Sequence, residues 1–266
     1  MAKRESVIVK KQIIVAMHKP YRLPSDSVYV PVQVGRALHD SIGTIQGDDT
    51  GENISRKNPN YCELTALYWA WKNLDFDYLG LVHYRRYFVI GKGKEKWNRI
   101  VSSTQWDTIL SKWDVVLPKK REYWIETNYS QYAHAHHAQD LDQTRQILAE
   151  RYPEYLAAFD AVMKRTNGHR FNMFVMKREL LDAYCNWIFD VLEQLEKRLD
   201  IRGYSTNDAR VFGFVSERLL DVWLETNQIA YGELPVAFME KQNWLKKGGA
   251  FLKRKFLKQK KKGVDK

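Results

Sequence analysis

Short apolar runs alternate along the chain with stretches of helical periodicity, and polar or glycine-rich segments separate them. Runs typical of buried strands occupy residues 7–17, 77–82, 113–117, 171–176 and 234–239. Apolar positions three and four residues apart predict helices over residues 61–73, from 139, from 153, over 179–198 and over 210–226. Strands that alternate with helices predict an α/β fold. Because neither an internal repeat nor a flexible linker is evident, we expect one domain.

The strand at residues 77–82 leads directly into a cluster of aromatic and cationic side chains. It is followed by His83, Tyr84, Arg85 and Arg86. Ligands of open α/β sheets bind at the carboxyl ends of strands, and guanidinium groups form paired hydrogen bonds with phosphate oxygens. The cluster therefore predicts a site for an anionic ligand such as a diphosphate. The alternative is that both arginines pair with carboxylates while the tyrosines cover a core.

The positive charge of the chain is concentrated at one end. The formal net charge is +11, but residues 241–266 contain eleven Lys or Arg and one Asp, so residues 1–240 are nearly neutral. In this tail, lysines are interleaved with Trp244, Leu245 and Phe251, a pattern compatible with a basic amphipathic helix on an anionic membrane surface. A solvated terminus and an RNA-binding tail are the alternatives. Nucleic acid is not expected as a partner, because a neutral body lacks a broad phosphate-tracking surface.

The lack of a recognisable targeting signal and the use of cysteine predict the cellular compartment of the protein. The apolar bursts near the N-terminus are too short for a signal peptide, and no apolar run approaches the roughly 18 residues of a membrane span. Cys62 and Cys185 are far apart in sequence and give neither a disulfide framework nor a metal-ligand spacing. These features predict a cytoplasmic protein with reduced thiols, attached peripherally at the inner face of the membrane by its tail.

The order of motifs along the chain resembles a known family. From about residue 12 to residue 244 the motifs are IIVAMHKPYRLP, VQVGRALHDSIGTIQGDDTGENIS, NPNYCELTALYWAWKN, YLGLVHYRRYF, VVLPKKREY, YAHAHHAQDLD, YPEYLAAF, FNMFVMKRELLDAYCNWIFDVL and VSERLLDVWLE. The series resembles the DUF4422 family of bacterial capsular and exopolysaccharide biosynthesis glycosyltransferases. This resemblance implies a GT-A-like, Rossmann-related domain over residues 1–240, with a mixed central sheet flanked by helices. It also implies transfer of a sugar from a nucleotide donor, expected to be UDP-linked, to a growing glycan. The resemblance does not imply the sugar or the linkage; a hexose, in pyranose or furanose form, is the expected sugar.

Several polar residues fall where a GT-A-like fold would hold the donor. The loop after the first strand would contact the base and ribose, and the polar segment 43–60 could close over them. A solvated surface loop is the alternative for that segment. The donor-binding residues implied in this way are His18, Lys19, Asp48, Asp49, Asn53, Tyr61, His83, Tyr84, Arg85 and Arg86.

The chain departs from the metal-binding pattern of many GT-A enzymes, which place an Asp-x-Asp just after an interior strand. Here Asp75 and Asp77 have that spacing but precede their strand. We therefore predict that Arg85 and Arg86, aided by His83, stabilise the leaving diphosphate in place of a metal. No cofactor is expected, and Mn²⁺ or Mg²⁺ is the alternative. The histidines of the YAHAHH motif are weak evidence for zinc, because no cysteine or carboxylate set accompanies them.

Transfer with inversion requires a general base on the acceptor hydroxyl. The candidates are Asp140 and Glu217, and more weakly His136 or Asp49. His136 and Asp140 could act as a pair, although a helix cap is the simpler role for Asp140. The sequence does not distinguish inversion from retention.

Asn172 and Arg218 are the candidates for contacts with the acceptor. Asn172 interrupts an apolar run, and Arg218 follows Glu217 inside an apolar helix, where a buried carboxylate needs a partner. The alternatives are a satisfied core amide for Asn172 and a local ion pair between Glu217 and Arg218.

Two other functional classes fit the sequence less well. A non-catalytic protein of nucleic-acid binding or polysaccharide assembly would use the basic tail and the abundant aromatic residues. A phosphohydrolase acting on nucleotide sugars would need an activated water and usually metal ligands, for which no convincing set is present. The leading hypothesis is a glycosyltransferase whose tail docks beside a lipid-linked or oligosaccharide acceptor.

Overall fold

The computed structural model describes residues 9–240. The predicted amphipathic tail and its membrane attachment fall on residues 241–266, which lie outside the described residues. Residues 7 and 8 of the strand expected over 7–17 also lie outside them. The division of the chain at residue 240 stays a prediction. Among residues 9–240, no helix combines the length and the apolar character needed to cross a bilayer.

Eleven strands are present in residues 9–240, nine of them in one sheet and two in a small separate ribbon. The strands are β1 (Lys11–Met17), β2 (Tyr29–Gln33), β3 (Gln46–Gly47), β4 (Tyr78–His83), β5 (Arg86–Phe88), β6 (Val115–Pro118), β7 (Arg121–Glu122), β8 (Asn167–Gly168), β9 (Phe174–Lys177), β10 (Gly232–Leu234) and β11 (Val236–Phe238).

Eight α-helices are present in the same residues. They are α1 (Asn58–Tyr61), α2 (Leu64–Asn73), α3 (Ser103–Leu110), α4 (Asn128–Ala135), α5 (Ala138–Arg151), α6 (Leu156–Lys164), α7 (Arg178–Arg198) and α8 (Val211–Thr226). The longest, α7, has its buried residues at helical spacing from Leu181 to Leu195, so the periodicity read from the sequence corresponds to its core-facing stripe.

The central sheet is mixed, and its order brings several strand ends together. The order is β3-β2-β1-β4-β9-β6-β10. Strand β1 is parallel to β2 and β4, whereas β9 lies antiparallel between β4 and β6. The carboxyl ends of β1, β2, β4 and β6 therefore meet at one edge of the sheet, together with the segment that enters β9. The predicted α/β fold with a mixed central sheet is confirmed.

Both faces of the sheet are buried, which explains why the strands appear as continuous apolar runs. In β1, Ile14 belongs to the core formed with α2 and α5–α8. Its neighbours Ile13 and Val15 belong to the opposite core, which includes β5, β11 and Trp106 of α3. Alternate side chains of one strand thus enter two separate cores.

Backbone conformation divides two of the elements expected from the sequence. The helix expected over 61–73 is interrupted at Cys62, which has φ 54°, so α1 ends there and α2 begins at Leu64. The strand expected over 171–176 begins only at Phe174, because Phe171 and Asn172 have φ 80° and 51°. L-residues rarely adopt such values, and neither break could be read from apolar periodicity.

Other elements were not expected from the sequence. Strand β2 is short and only partly apolar, and α3 and α4 have few apolar positions, so periodicity did not reveal them. Both helices begin with a capping box, formed by Ser102 with Gln105 and by Thr127 with Ser130. The run at 234–239 is divided at Pro235 into β10 and β11.

Candidate active site

A cleft of about 980 Å³ opens at the edge of the sheet where the strand ends meet. It is bordered by the end of β1, the β4–β5 turn, the α1–α2 junction, the segment before β9, and α4 and α8. The charged residues that line it are Arg85, Arg86, Arg121, Arg170, Arg210, Arg218, Glu63 and Glu217. Six arginines against two glutamates favour an anionic ligand.

The HYRR cluster forms the tight turn between β4 and β5. His83 pairs with Arg86 across the turn, leaving Tyr84 and Arg85 at its tip. Tyr84 is buried, and its ring packs edge-on against His18 and Tyr21 at centroid distances of 5.2 and 5.1 Å. His18, His83, Tyr84, Arg85 and Arg86 all line the cleft. The structure therefore brings together the strand-end residues that the sequence singled out.

The guanidinium of Arg86 has no hydrogen bond or ion pair with any residue of the described chain. Its guanidinium lies over Phe171 at 4.6 Å from the ring centroid and over Phe238 at 5.5 Å. Burial, reinforced by the nearby Arg85 guanidinium, lowers the pKa of Arg86. A cation held against two aromatic rings, with no acceptor for its N–H groups among the described residues, is suited to receive oxygen atoms from a ligand.

Arg85 and Lys19 share a carboxylate at the rim of the cleft. Arg85 Nη1 lies 3.0 Å from Glu240 Oε2, and Lys19 Nζ lies 3.4 Å from Glu240 Oε1. All three side chains are at least one third exposed, so these pairs contribute little to stability. An anionic ligand could compete with Glu240 for both cations.

His83 orients the backbone before β9. Its Nε2 donates a hydrogen bond to the carbonyl oxygen of Phe171 at 2.6 Å, which assigns the proton to that nitrogen. Burial lowers the pKa of His83, even though Glu63 Oε1 lies 4.0 Å from Nε2. The imidazole is therefore neutral at pH 7 and contributes to the position of Phe171 rather than adding a charge.

Two carboxylates enter this cationic cleft. Glu217 projects from α8, with its side chain 20% exposed and Oε2 3.8 Å from Arg218 Nη1. Burial raises the pKa of Glu217, and the guanidinium of Arg218 only partly offsets that effect. Glu63 comes from the α1–α2 junction and accepts a hydrogen bond from Asn172 Nδ2 at 2.7 Å. A buried carboxyl group with a raised pKa can take up a proton near neutral pH.

Arg218 is held on the wall of the cleft by protein acceptors. It donates from Nη1 to the carbonyl oxygen of Phe214 and from Nη2 to Gln131 Oε1, both at 2.7 Å. Its buried Nε has no partner among residues 9–240. Burial, followed by the charge of Arg170, lowers the pKa of Arg218 to about 10.

Asn172 is 3% exposed and its amide is occupied by protein partners. Nδ2 donates to Glu63 Oε1 and to the Gly213 carbonyl oxygen at 3.0 Å, while Oδ1 accepts from Ser216 Oγ at 2.9 Å. These bonds connect the segment before β9 to α8 and to the α1–α2 junction. The geometry is that of the satisfied core amide, and a contact between Asn172 and the acceptor stays a prediction.

His136 lines the cleft, but its hydrogen-bond partner differs from the one expected. Its Nδ1 lies 2.9 Å from Asp208 Oδ1, and its ring stacks on Phe214 at 4.3 Å. Burial lowers the pKa of His136. Asp140 is fully buried and accepts hydrogen bonds from the hydroxyls of Tyr132 and Tyr204. Asp140 is therefore bonded to tyrosines rather than to His136 and does not line the cleft.

The polar segment 43–60 is organised by one buried carboxylate. Asp48 accepts hydrogen bonds from the backbone N–H groups of Gly35 and Arg36 and from the Ser55 hydroxyl. Asn53 Nδ2 donates to the Gly51 carbonyl oxygen. Neither Asp48, Asp49 nor Asn53 lines the cleft, although Asn58 and Pro59 do. Donor binding by these three polar residues stays a prediction.

Tyr61 lies in the core rather than on the wall of the cleft. Its ring packs against Phe212 at 4.8 Å, and its hydroxyl donates to Glu196 Oε2 at 3.0 Å. Donor binding by Tyr61 likewise stays a prediction.

Four charged residues of the cleft were not identified from the sequence, namely Glu63, Arg121, Arg170 and Arg210. Glu63 faces the cleft because the chain changes direction at Cys62. Arg170 is fixed by Tyr123, Asn128 and the carbonyl oxygen of His169. The sequence signal available for three of them was a position inside or next to a motif already noted: Glu63 in NPNYCEL, Arg121 in VVLPKKREY and Arg170 directly before FNMF.

Asp75 and Asp77 lie at the opposite edge of the sheet and connect α2 to β4. Asp77 Oδ2 accepts from the Lys10 backbone N–H at 2.7 Å, and Asp75 accepts from Lys10 Nζ and from Arg178 Nη2. Within residues 9–240, no group of three or more His, Cys, Asp or Glu side chains has the arrangement of a metal site. These contacts hold the connection between α2 and β4 in place.

Comparison with known proteins identifies the family. Residues 12–228 match the sequence profile of DUF4422, described as a domain of unknown function. No curated protein matches the chain. Among solved structures, the apo structure of WbbM, a bifunctional glycosyltransferase, matches with a TM-score of 0.82 and 30% identity over 87% of this chain.

The match covers only 46% of the WbbM chain, so this protein spans about half the length of that structure. The similarity confirms the expected glycosyltransferase-type α/β fold of GT-A-like, Rossmann-related character. The family match extends over most of the residues described, including β1, the β4–β5 turn and α8. The chain belongs to the DUF4422 family.

Proposed function

We propose that the protein is a glycosyltransferase that moves a hexose from a UDP-sugar to a glycan acceptor. The observation that supports this most directly is Arg86, a half-buried cation at the carboxyl end of β4 whose N–H groups have no acceptor among residues 9–240. The similarity to WbbM supports the same reaction class. The cationic cleft is large enough for a nucleotide-sugar, since ligand pockets commonly measure roughly 300–1,000 Å³.

In the proposed reaction, the acceptor hydroxyl attacks the anomeric carbon and the bond from that carbon to the diphosphate oxygen breaks. Negative charge then develops on the leaving UDP. Arg86 and Arg85 stabilise this charge by electrostatic and hydrogen-bonding interactions that strengthen in the transition state. Both arginines belong to one tight turn, so the pairing of His83 with Arg86 sets their backbone positions before the donor binds.

Glu217 is the proposed general base. It accepts the proton of the acceptor hydroxyl, and the nearby arginine charges stabilise its ionised form against the cost of burial. Electrostatic interactions couple Glu217 to both Arg86 and Glu63. The proposed base is therefore close enough to the proposed diphosphate site to interact with it electrostatically. A single displacement requires the base and the leaving-group site to be near each other.

The proposed reaction does not use a divalent metal. The position that follows β4 is occupied by guanidinium groups, while Asp75 and Asp77 bond to Lys10 and Arg178 at the opposite edge of the sheet. We further propose a lipid-linked or oligosaccharide acceptor in capsule, exopolysaccharide or O-antigen synthesis. Peripheral attachment of the basic tail at the inner face of the cell membrane belongs to the same proposal.

A donor screen tests the proposal. Purified protein is incubated with a panel of nucleotide-sugars, with and without a lipid-pyrophosphate or oligosaccharide acceptor, and released nucleotide is measured. We expect acceptor-stimulated release of UDP from one UDP-hexose. If no nucleotide-sugar releases its nucleotide with any acceptor, the transferase assignment is wrong.

A further inference from the structure

Two adjacent apolar side chains project from the rim of the cleft into solvent. Trp124 is 84% exposed and Ile125 is 66% exposed, more than any other large hydrophobic residue in the described part of the chain. Singly exposed apolar residues are common and need no explanation. A Trp and an Ile that are adjacent in sequence and both exposed indicate a surface that contacts another molecule or a membrane.

The backbone holds this pair outward. The Ile125 N–H donates to the Tyr123 carbonyl oxygen at 2.7 Å across Trp124, which has φ 62°. This is the geometry of a tight three-residue turn that is rare and strained for a bulky side chain. The Tyr123 N–H is bonded to the Thr166 carbonyl oxygen, and the Thr127 capping box begins α4 immediately afterwards. The exposed turn is thus anchored on both sides.

The turn lies beside the mouth of the proposed active site. Tyr123, which precedes it, lines the cleft, as does Arg121 in the adjoining strand β7. Lys119 and Arg121 are exposed on the approach to the turn. The apolar tip therefore has exposed basic residues on its approach, together with the exposed Glu122, at the opening through which an acceptor would enter.

The end of the described chain reaches the same rim. Glu240, the last described residue, pairs with Arg85 and Lys19 at the cleft. The 26 residues that follow it carry eleven Lys or Arg and one Asp. The basic segment of the sequence therefore follows directly on a residue at the rim of the cleft, beside which the exposed Trp–Ile pair lies.

We propose that the Trp124–Ile125 turn inserts into the interfacial region of an anionic phospholipid bilayer and directs the cleft towards the membrane surface. Tryptophan is favoured at the depth of lipid headgroups, where its ring is partly apolar and its N–H can be hydrated. Nearby lysines and arginines are attracted to anionic headgroups. Insertion of two apolar side chains adds a salt-resistant component that basic residues alone do not provide.

A vesicle-flotation experiment with the full chain tests this proposal. Trp124→Ser/Ile125→Ser is compared with wild type on phosphatidylglycerol-containing vesicles and on neutral phosphatidylcholine vesicles. The matched control is Trp113→Ser, since Trp113 is a second exposed tryptophan, 40% exposed, located before β6. Binding is measured at low salt and at about 0.5 M NaCl, where the Debye length falls to roughly 4 Å and the contribution of the basic residues is suppressed.

At the higher salt concentration we expect the double variant to bind anionic vesicles about tenfold more weakly than wild type, while Trp113→Ser binds as wild type does. Equal binding by all three proteins would overturn the proposal. If vesicle binding is unchanged but the KM for a soluble oligosaccharide acceptor rises, the turn contacts a glycan instead and the membrane assignment is wrong.

A second measurement reports insertion directly and requires no loss of binding. An environment-sensitive fluorophore is attached through Ile125→Cys or, as a control, through Glu154→Cys in the exposed turn after α5. On addition of anionic vesicles, the label at position 125 should shift to the blue and become protected from aqueous quenchers, while the label at 154 should not. No shift at 125 despite vesicle binding contradicts insertion. Neither measurement depends on turnover, so each can fail independently of the proposed function.

Discussion

The guanidinium of Arg86 lies 4.6 Å from the ring centroid of Phe171, and His83 fixes the backbone of that same phenylalanine through a hydrogen bond to its carbonyl oxygen. Phe171 has φ 80°, a conformation that few non-glycine residues adopt. The strained segment before β9 thus supports the cation at the end of β4. Because β9 lies next to β4 in the sheet, the ring of Phe171 is placed beside the cation that is proposed to bind the diphosphate.

Replacement of Arg86 should affect turnover more than stability. Arg86→Gln removes a cation from the diphosphate site, and we expect kcat/KM to fall about 100-fold, as for the loss of one preorganised donor in other enzymes. The free energy of unfolding should change little, because the side chain has no hydrogen bond to lose within the described part of the chain. Steady-state kinetics and thermal denaturation of the same preparation measure both effects.

Arg178→Gln is the matched control for that substitution. Arg178 also stacks on a phenylalanine, Phe76, at 4.2 Å, but at the opposite edge of the sheet and with hydrogen bonds to Asp75 and to the Phe76 carbonyl oxygen. We expect this variant to lose stability and keep its turnover. Parallel loss of stability and turnover in Arg86→Gln would indicate a structural role for Arg86.

Glu217 should determine the acidic limb of the pH–rate profile. A general base acts when deprotonated, and burial raises the pKa of Glu217, so activity should decline as pH falls through a value above the usual range for glutamate. Glu217→Gln should reduce kcat by roughly 10³-fold and abolish that limb. Glu63→Gln tests the other carboxylate of the cleft, and loss of the limb in this variant alone would assign the base to Glu63.

The raised pKa of Glu217 has a consequence for stability. The folded state favours the protonated carboxyl group more than the unfolded state does, so this contribution is present at low pH and lost as pH rises through the folded pKa. Glu217→Gln should therefore melt at a higher temperature than wild type at pH 8, and the difference should vanish near pH 4. An equal difference at both pH values would contradict the pKa shift.

Asn172 should behave as a structural residue. Asn172→Gly tolerates the positive φ but removes the hydrogen bonds to Glu63, Gly213 and Ser216. We expect the free energy of unfolding to fall by about 2 kcal/mol, with little change in acceptor KM. Ser216→Ala removes one of these bonds and should show a smaller loss. A selective rise in acceptor KM would instead support direct contact between Asn172 and the acceptor.

Much of the candidate active site could be predicted from the sequence by one physical rule. Polar residues that follow a buried strand collect at the carboxyl edge of a sheet. That rule pointed to His18 and the HYRR turn, whereas Glu217 was singled out as a carboxylate inside an apolar helix; all of them line one cleft. The sequence did not show that the rings of Phe171 and Phe238 contact Arg86, because Phe171 precedes β9 and Phe238 ends β11, both far from Arg86 along the chain. Such neighbours are set by sheet order rather than by local pattern.

The sequence alone did not distinguish polar residues that line the cleft from those that are hydrogen-bonded inside the protein. Asp48 is bonded to two backbone N–H groups, and Asp140 to two tyrosine hydroxyls. Both are aspartates in polar surroundings in the sequence, where a structural hydrogen bond and a ligand contact look alike. Glu63 was missed for the converse reason, since it faces the cleft only because of the backbone turn at Cys62.

The central claim is that guanidinium groups, without a metal, hold the diphosphate of the donor. Isothermal titration of UDP into wild-type protein and Arg86→Gln, both in excess EDTA, tests it most directly. We predict that wild type binds UDP in EDTA and that Arg86→Gln binds it about 100-fold more weakly. Equal affinity of the two proteins, or UDP binding that appears only when Mn²⁺ or Mg²⁺ is restored, would contradict the account.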